Sequence, residues 1–485
     1  MREDGPRAVA EVIAVSEAGR APKNDPAIFA LAYAVAEGNG ETKHAALDAL
    51  PRVCRTGTHL FQFCSFLDAS FGKLTGRAKR RALARWYTEK TTDSLAYQLV
   101  KYRQRHGWTH RDVLRLCHPA SKVSAGNPRT NASDEHARLF AWTVGKPIEG
   151  ALPAIIRGFV EIQEKPAAAA RIIREYRLPR EAVPAECLTD PGVWRALLDV
   201  GMPLTAMVRN LGNMTRLGVL ATGTEETAKV AATITDRDLL RKARVHPLAV
   251  LLALATYRTG RGLRGSGEWA PVPAILDALD EAFYLAFGAV EPTGKRILQA
   301  IDVSGSMDGY HVAGTPLSAR EAAAALAMVA VASEPLVETV TFSNGAGAFM
   351  SGSRGRFHFN GIVDGLQPFA LSRRRRLDDV VYETACLQMG GTDCALPMLY
   401  ATAVGKEFDA FVVYTDSETW AGGVHPAQAL AEYRRKSGIA AKLVVVAMTS
   451  NGFSIADPND AGMLDVVGMD AATPAIISDF AAGRI

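Results

Sequence analysis

Between Glu291 and Gly294 this 485-residue chain changes its pattern, and the change limits what it can fold into. From about residue 25 to residue 288, apolar residues follow the helical period and Gly or Pro breaks the run at short intervals. Helices are predicted at residues 28–37, 94–105 and 274–287, the last entered through Pro271 and Pro273. Asp236 is predicted to cap the helix before His246-Pro247, with another helix over 248–257. Helix pairs stacked without strands suggest an α-solenoid of HEAT type, and an irregular helical bundle is the alternative. After Gly294, apolar runs alternate with helical stretches: strands at 296–301, 337–342, 408–414 and 443–448, helices at 317–333 and 426–435. That alternation implies parallel βαβ units in a doubly wound, Rossmann-like sheet. The expected organisation is a short N-terminal extension (1–24), a helical repeat domain (25–293) and an α/β domain (294–485).

The first strand of the α/β part runs into Asp302-Val-Ser304-Gly-Ser306. A D-x-S-x-S loop at a strand end presents one carboxylate and two hydroxyls, hard oxygen ligands suited to Mg²⁺, with Mn²⁺ as the alternative. Short Asp/Ser/Gly turns are common for local reasons, so the loop alone is weak. Two later segments strengthen it. Gly390-Gly391-Thr392-Asp393 offers another hydroxyl, and Asp416 ends the apolar run at 411–415. Both fall where loops of a doubly wound sheet converge. In that order, Asp302, Ser304, Ser306, Thr392 and Asp416 resemble the metal-ion-dependent adhesion site of a von Willebrand factor A domain.

The chain is too long for a single ordinary core. Its composition, 48% hydrophobic and 22% charged, is that of a globular protein. No apolar run is long enough to span a bilayer, and Met1-Arg-Glu-Asp-Gly-Pro lacks the apolar core of a signal peptide. Cys54, Cys64, Cys117, Cys187, Cys386 and Cys394 are scattered without zinc-type spacing, so a reducing, cytoplasmic setting is expected. The net charge of +4 is unevenly spread. Between Arg52 and Lys122 the acids are Asp68, Glu89, Asp93 and Asp112, against a run of basic residues that includes Arg55, Lys73, Arg77, Lys79, Arg80, Arg81 and Arg85. Such an excess is the footprint of a polyanion-binding surface. A further basic run, Arg373-Arg-Arg-Arg376, lies in the segment 351–382. A run of that kind is usually a solvated face, with an RNA or protein contact the lesser reading.

Longer stretches carry a family likeness. They are Lys101-Tyr-Arg-Gln-Arg-His-Gly-Trp108-Thr-His-Arg-Asp112, Met202-Pro-Leu-Thr-Ala-Met-Val-Arg-Asn-Leu-Gly212, Tyr257-Arg-Thr-Gly-Arg-Gly-Leu-Arg-Gly265 and Val290-Glu-Pro-Thr-Gly-Lys295. In the second part they are Gly390-Gly-Thr-Asp-Cys394, Ala421-Gly-Gly-Val-His-Pro426 and Met448-Thr-Ser-Asn-Gly-Phe453. Nearly the whole chain resembles the Ro autoantigen (TROVE-domain) family in its bacterial form. The resemblance implies a ring of HEAT-like repeats closed by the A-type domain. It implies a monomeric, non-enzymatic ribonucleoprotein component that binds Y RNA or Y-RNA-like RNA on its outer surface. Single-stranded 3′ ends of misfolded RNAs would enter a central hole, and the Y-like RNA would tether polynucleotide phosphorylase, placing the protein in non-coding RNA quality control. The chain departs from the family pattern in its short segment before Asp25 and in the length of 351–382.

Arg77, Arg81 and Arg85 sit four apart, a spacing that stacks them on one helix face. Lys101 and Arg105 repeat that spacing on the helix predicted at 94–105. Such rows follow a phosphate backbone. Trp86, Tyr87, Tyr102 and Trp108 are interleaved with the charges and can stack on unpaired bases, although aromatics at helical spacing are more often core. The family match selects Lys101, Arg105 and His118 as RNA contacts. No nucleophile with an obvious base is apparent. A Mg²⁺-dependent nuclease needs several carboxylates, and the metal motif offers Asp302 and Asp416 with Asp393 adjacent. The competing reading is a metal-dependent scaffold whose A-type domain recruits a partner such as an exoribonuclease.

Overall fold

The structure, a computed structural model, describes residues 4–18, 24–119, 133–263, 267–290, 292–343, 358–359, 363–387, 390–416, 421–449, 452, 455–469 and 473–484. It divides into two compact units, Met1–Met202 and Pro203–Ile485.

The first unit is helical apart from one hairpin. Its helices are α1 (Gly5–Ala18), α2 (Asp25–Glu37), α3 (Gly40–Val53), α4 (Gly57–Ser65), α5 (Arg77–Thr88), α6 (Thr92–Lys101), α7 (His110–Cys117), α8 (Asp134–Val144), α9 (Ala154–Glu164), α10 (Ala169–Tyr176) and α11 (Pro191–Asp199). Helix starts are written in the sequence. Asn39, Thr56, Thr91, Thr109 and Ser133 each accept a hydrogen bond from a first-turn N–H. Helical structure begins earlier than the pattern suggested, because α1 packs against α2 and α3.

The centre of this unit is aromatic. Trp86 and Tyr87 are both 0% exposed. The Trp86 indole N–H donates to the carbonyl of Cys54, and the Tyr87 hydroxyl lies 2.9 Å from Nδ1 of His110. Phe61 packs edge-on against His110 at 4.7 Å. Burial pushes the His110 imidazole down to about 3, so this ring is a neutral core group.

The second unit opens with α12 (Leu204–Arg216), α13 (Glu225–Ile234), α14 (Arg237–Lys242), α15 (Pro247–Arg258) and α16 (Pro273–Leu285). Asp236 caps α14 as expected, accepting from the N–H groups of Asp238 and Leu239. The strands are β3 (Ile297–Asp302), β4 (Val337–Phe342), β5 (His358–Phe359), β6 (Val363–Asp364), β7 (Leu366–Pro368), β8 (Ala410–Thr415), β9 (Lys442–Ala447) and β10 (Met463–Val467); β1 (Gln104–Arg105) and β2 (Trp108–Thr109) form the hairpin of the first unit. The main sheet has the order β10-β9-β8-β3-β4-β7. Its pairs are parallel except β4 with β7. Helices α17 (Ser306–Gly309), α18 (Ala319–Ser333), α19 (Leu377–Cys386), α20 (Leu396–Val404), α21 (Pro426–Ser437) and α22 (Thr473–Ala481) complete the unit.

Every residue of β3 and β8 is buried, as continuous apolar runs in a two-sided sheet require. The chain winds from β3 to β4 on one side and later returns to β8 on the other. The strand order therefore reverses between β3 and β8, where an open α/β sheet leaves a crevice at its strand ends. The change of texture near Thr293 lies inside this unit. There the Glu334 carboxylate accepts from the Thr293 N–H at 2.8 Å and from its hydroxyl at 2.9 Å. Among the described residues, no helix is long and apolar enough to cross a membrane.

Replacing Trp86 with Ala removes one of the two fully buried tryptophans of the first unit's core. It should cost about 3–5 kcal/mol, read by urea denaturation.

Candidate metal centre and RNA-facing surface

The five residues of the adhesion-type motif converge. Asp302 ends β3, Asp416 follows β8, Ser304 and Thr392 belong to adjoining loops, and Ser306 begins α17. Asp302 is 0% exposed. One of its oxygens accepts the Ser304 N–H at 2.8 Å. The other accepts the Thr415 hydroxyl at 2.8 Å and the Thr392 hydroxyl at 3.3 Å. The hydroxyls of Ser304 and Ser306 lie 3.0 Å apart. Burial pushes the Asp302 carboxyl up to about 6, and the charge of Asp416 adds to the shift. Asp416 is itself buried, and among the described residues neither of its carboxylate oxygens has a hydrogen-bond partner.

Two buried carboxylates, one of them unpaired, are costly unless a cation joins them. Two carboxylates and three hydroxyls make an all-oxygen donor set suited to Mg²⁺ or Mn²⁺. The residues present therefore fit a hard divalent ion, held through Asp302, Ser304, Ser306, Thr392 and Asp416. Such an ion would supply a Lewis-acidic point for an anionic oxygen. Among the described residues no cluster of three His, Cys, Asp or Glu side chains could hold a metal, so the hydroxyls are essential to this set.

Sequence reasoning missed the groups that hold the loop in place. Arg320 of α18 is only 2% exposed. Its guanidinium donates to both oxygens of Asp308 at 2.6 and 3.0 Å, to the Thr384 carbonyl at 2.9 Å and to the Ser304 carbonyl at 3.2 Å. It thus fixes the metal loop from behind. A charged residue inside the Ala-rich run 319–333 was the available signal. Asp393 accepts the Ala395 N–H at 3.0 Å and turns its carboxylate against Gly422, where a Cβ would come within 2.2 Å of it. Gly422 also has φ +89°, so no other residue fits comfortably.

The RNA candidates divide. Lys101 and Arg105 do not share a helix. Helix α6 ends at Lys101, and the chain turns into the hairpin β1 (Gln104–Arg105) and β2 (Trp108–Thr109). His106 and Gly107 take φ of +52° and +77°, the two positive values a tight hairpin turn demands. Arg105 is exposed on that hairpin. The Lys101 ammonium donates to the Tyr97 hydroxyl at 2.9 Å and lies over the Tyr97 and Tyr102 rings. Burial opposes its charge, but the Tyr97 hydrogen bond, the two phenols and the charge of Glu181 together hold the lysine above its ordinary value. His118, exposed in the left-handed conformation, caps the far end of α7. No hydrogen bond joins Lys101, Arg105 and His118 among the described residues.

The arginine row on α5 is also uneven. Arg77 and Arg81 are exposed. Arg85 is committed to α3, donating to Asp48 at 2.8 Å and to the Leu47 carbonyl at 2.9 Å, so it serves the fold. Trp86 and Tyr87 are core, which excludes them as stacking platforms, while Tyr102 and Trp108 are half-buried. Two guanidiniums of the basic run are paired with acids. Arg375 pairs with Glu383, and Arg376 pairs with Asp280 and lies 4.4 Å over the Tyr284 ring. Most of 351–362 lies outside the described residues.

Comparison with known proteins agrees with both halves. The TROVE domain family model matches residues 5–145 and 168–257, and the Ro60 vWA domain model matches 296–481. The chain belongs to the Ro60 family. It is 40% identical to the Deinococcus radiodurans protein named RNA-binding protein RO60, over 100% of this chain and 86% of that one. It is 36% identical to the Caenorhabditis elegans protein of the same name, over 91% of this chain and 73% of that one. The crystal structure of the Deinococcus radiodurans RO (RSR) protein superposes with a TM-score of 0.84 at 40% identity, covering 99% of this chain and 91% of that one.

Mg²⁺ should raise the thermal midpoint of this Ro60-family chain in metal-free buffer and leave the Asp416→Ala variant unmoved. With the ion at a hundred times its dissociation constant, the stabilisation is about 2.7 kcal/mol, readable by calorimetry.

Proposed function

We propose that the protein binds RNA and acts, without turnover, in the quality control, maturation or decay of non-coding RNA. The observation that carries this reading is the set of exposed cations on the first unit: Arg77, Arg81, Arg105 and the partly exposed Lys101, with His118 beyond them. None of the four is in a salt bridge among the described residues, and Lys101 feels the charge of Glu181 only at longer range. Cations of this kind meet phosphates and release counterions. The names of the relatives, RNA-binding protein RO60, support the same class.

In its finer form, the reading is a cytoplasmic, monomeric ribonucleoprotein component. A Y-RNA-like RNA lies on the outer surface through Lys101, Arg105 and His118. Single-stranded 3′ ends of misfolded RNAs enter a central hole, and the Y-like RNA links the protein to polynucleotide phosphorylase. A thermophoresis titration against a small structured RNA with a 3′ tail, repeated over a salt series, tests it. Replacing Lys101 and Arg105 with Ala should weaken binding and reduce the salt slope by about two. An affinity indifferent to both changes and to salt rejects the reading.

The unpaired carboxylate of Asp416 favours a second role, capture of a partner's acidic group by metal held in the A-type domain. Stripping the metal with EDTA should then release a protein partner such as an exoribonuclease from immobilised protein and leave the RNA bound. A partner retained equally with and without EDTA excludes the metal-bridged scaffold.

A further inference from the structure

Helix α2 carries an aromatic cluster that the fold does not bury. Phe29 is 43% exposed and Tyr33 is 38% exposed. Phe29 meets Phe66 edge-on at 5.3 Å and Phe71 at 5.9 Å, and Tyr33 meets Phe71 at 6.0 Å. Single exposed apolar residues need no explanation, but a contiguous ring cluster marks a contact surface.

Beside it lies a basic recess. Residues 29, 33 and 36–37 fall on one face of α2, successive turns being about 5.4 Å apart. Lys73 reaches that face, donating to the Ala36 carbonyl at 3.3 Å and pairing with Glu37 at 2.6 Å. Phe71 of the cluster stands two residues before Lys73. The recess, of about 320 Å³, is lined by Lys43, Lys73, Arg77 and Lys79 around Ala36 and Gly76. Burial lowers the Lys79 ammonium, and the charges of Lys43 and Lys73 lower it further, so these cations repel one another across the space. Glu37 is the one acid paired with any of the four lining cations among the described residues. The recess also meets the start of α5, which has no side-chain cap and no acidic residue in its first turn. A helix start normally attracts acids, and here Arg77, Lys79 and Arg80 occupy it.

We propose that Phe29, Tyr33 and Phe71, with Lys43, Lys73, Arg77 and Lys79, form a site for single-stranded RNA, a base lying on the rings and its phosphate in the recess. Rings supply a stacking face for any base, and clustered cations supply the phosphate contact, the combination that binds unpaired strands without reading their sequence. The charge decides against an apolar protein partner, because Lys43, Arg77 and Lys79, which form no salt bridge among the described residues, would be desolvated beside the rings without compensation. The inference rests on the RNA-binding reading above and adds a contact for unpaired RNA, separate from Lys101 and Arg105.

The test uses the full-length protein, a short single-stranded oligoribonucleotide carrying 2-aminopurine, and a blunt duplex RNA of the same length. Wild-type protein should quench the 2-aminopurine emission. The Phe29→Ser/Tyr33→Ser variant should lose the quenching and bind the single strand about tenfold more weakly, with duplex binding unchanged. The Lys43→Gln/Lys79→Gln variant removes two charges and the hydrogen bond from Lys79 to the Thr75 carbonyl at 3.0 Å, and circular dichroism verifies its fold. It should weaken single-strand binding and lower the salt slope by on the order of one, while keeping the quenching at saturation. Wild-type-like single-strand affinity in either variant overturns the site, as does equal weakening toward the duplex. If the wild-type protein binds neither this strand nor the structured RNA, both readings fall. If it binds the structured RNA through Lys101 and Arg105 while these variants behave as wild type, this inference alone falls.

Discussion

A carboxylate at the end of a strand buried on both sides must find compensation within the protein, and Asp302 is that carboxylate. Moving such a charge out of water costs several kcal/mol. The surrounding structure can be understood as the response. The Ser304 N–H and the Thr415 and Thr392 hydroxyls reach its two oxygens from three separate segments. Those bonds draw the loops after β3 and β8 together at the point where the strand order reverses. Arg320 then secures the first loop through the Ser304 carbonyl. Among the described residues, the Asp416 carboxylate finds no hydrogen-bond partner of its own.

Much of this was legible in the sequence because buried parallel strands read as unbroken apolar runs. The runs predicted at 296–301, 408–414 and 443–448 became β3, β8 and β9 within two residues at each end. Asp302 and Asp416 were visible for the same reason, since a charged residue that ends an apolar run marks the strand's mouth. Arg320 was not legible, because its partners Ser304, Asp308 and Thr384 come together only after folding. The edge strand β7 was too short, at three residues, to leave a pattern.

In the helical region, period was a better guide to burial than to function. It placed Trp86 and Tyr87 on an inward face, and the core claims them. It placed Arg77, Arg81 and Arg85 in one row, but only a neighbouring helix could reveal that Asp48 engages Arg85. Spacing also joined Lys101 to Arg105 across a helix that does not exist. The pair His106-Gly107 was the overlooked signal, since two successive positive φ values end any helix and begin a hairpin. Phe29 and Tyr33 lie on a helix whose period gives no warning that its outer face is aromatic.

The pairing of Arg375 and Arg376 with acids bears on how quickly a polyanion finds this protein. Had the whole run 373–376 stood in solvent, the second unit would offer a competing attractor of the same sign as the first. With Glu383 and Asp280 cancelling two of those charges at close range, the second unit's far field is weakened. The exposed cations of α5 and the hairpin then dominate diffusional capture. Encounter is biased toward the first unit before any specific contact forms, an advantage in association rate that salt erodes within about a Debye length.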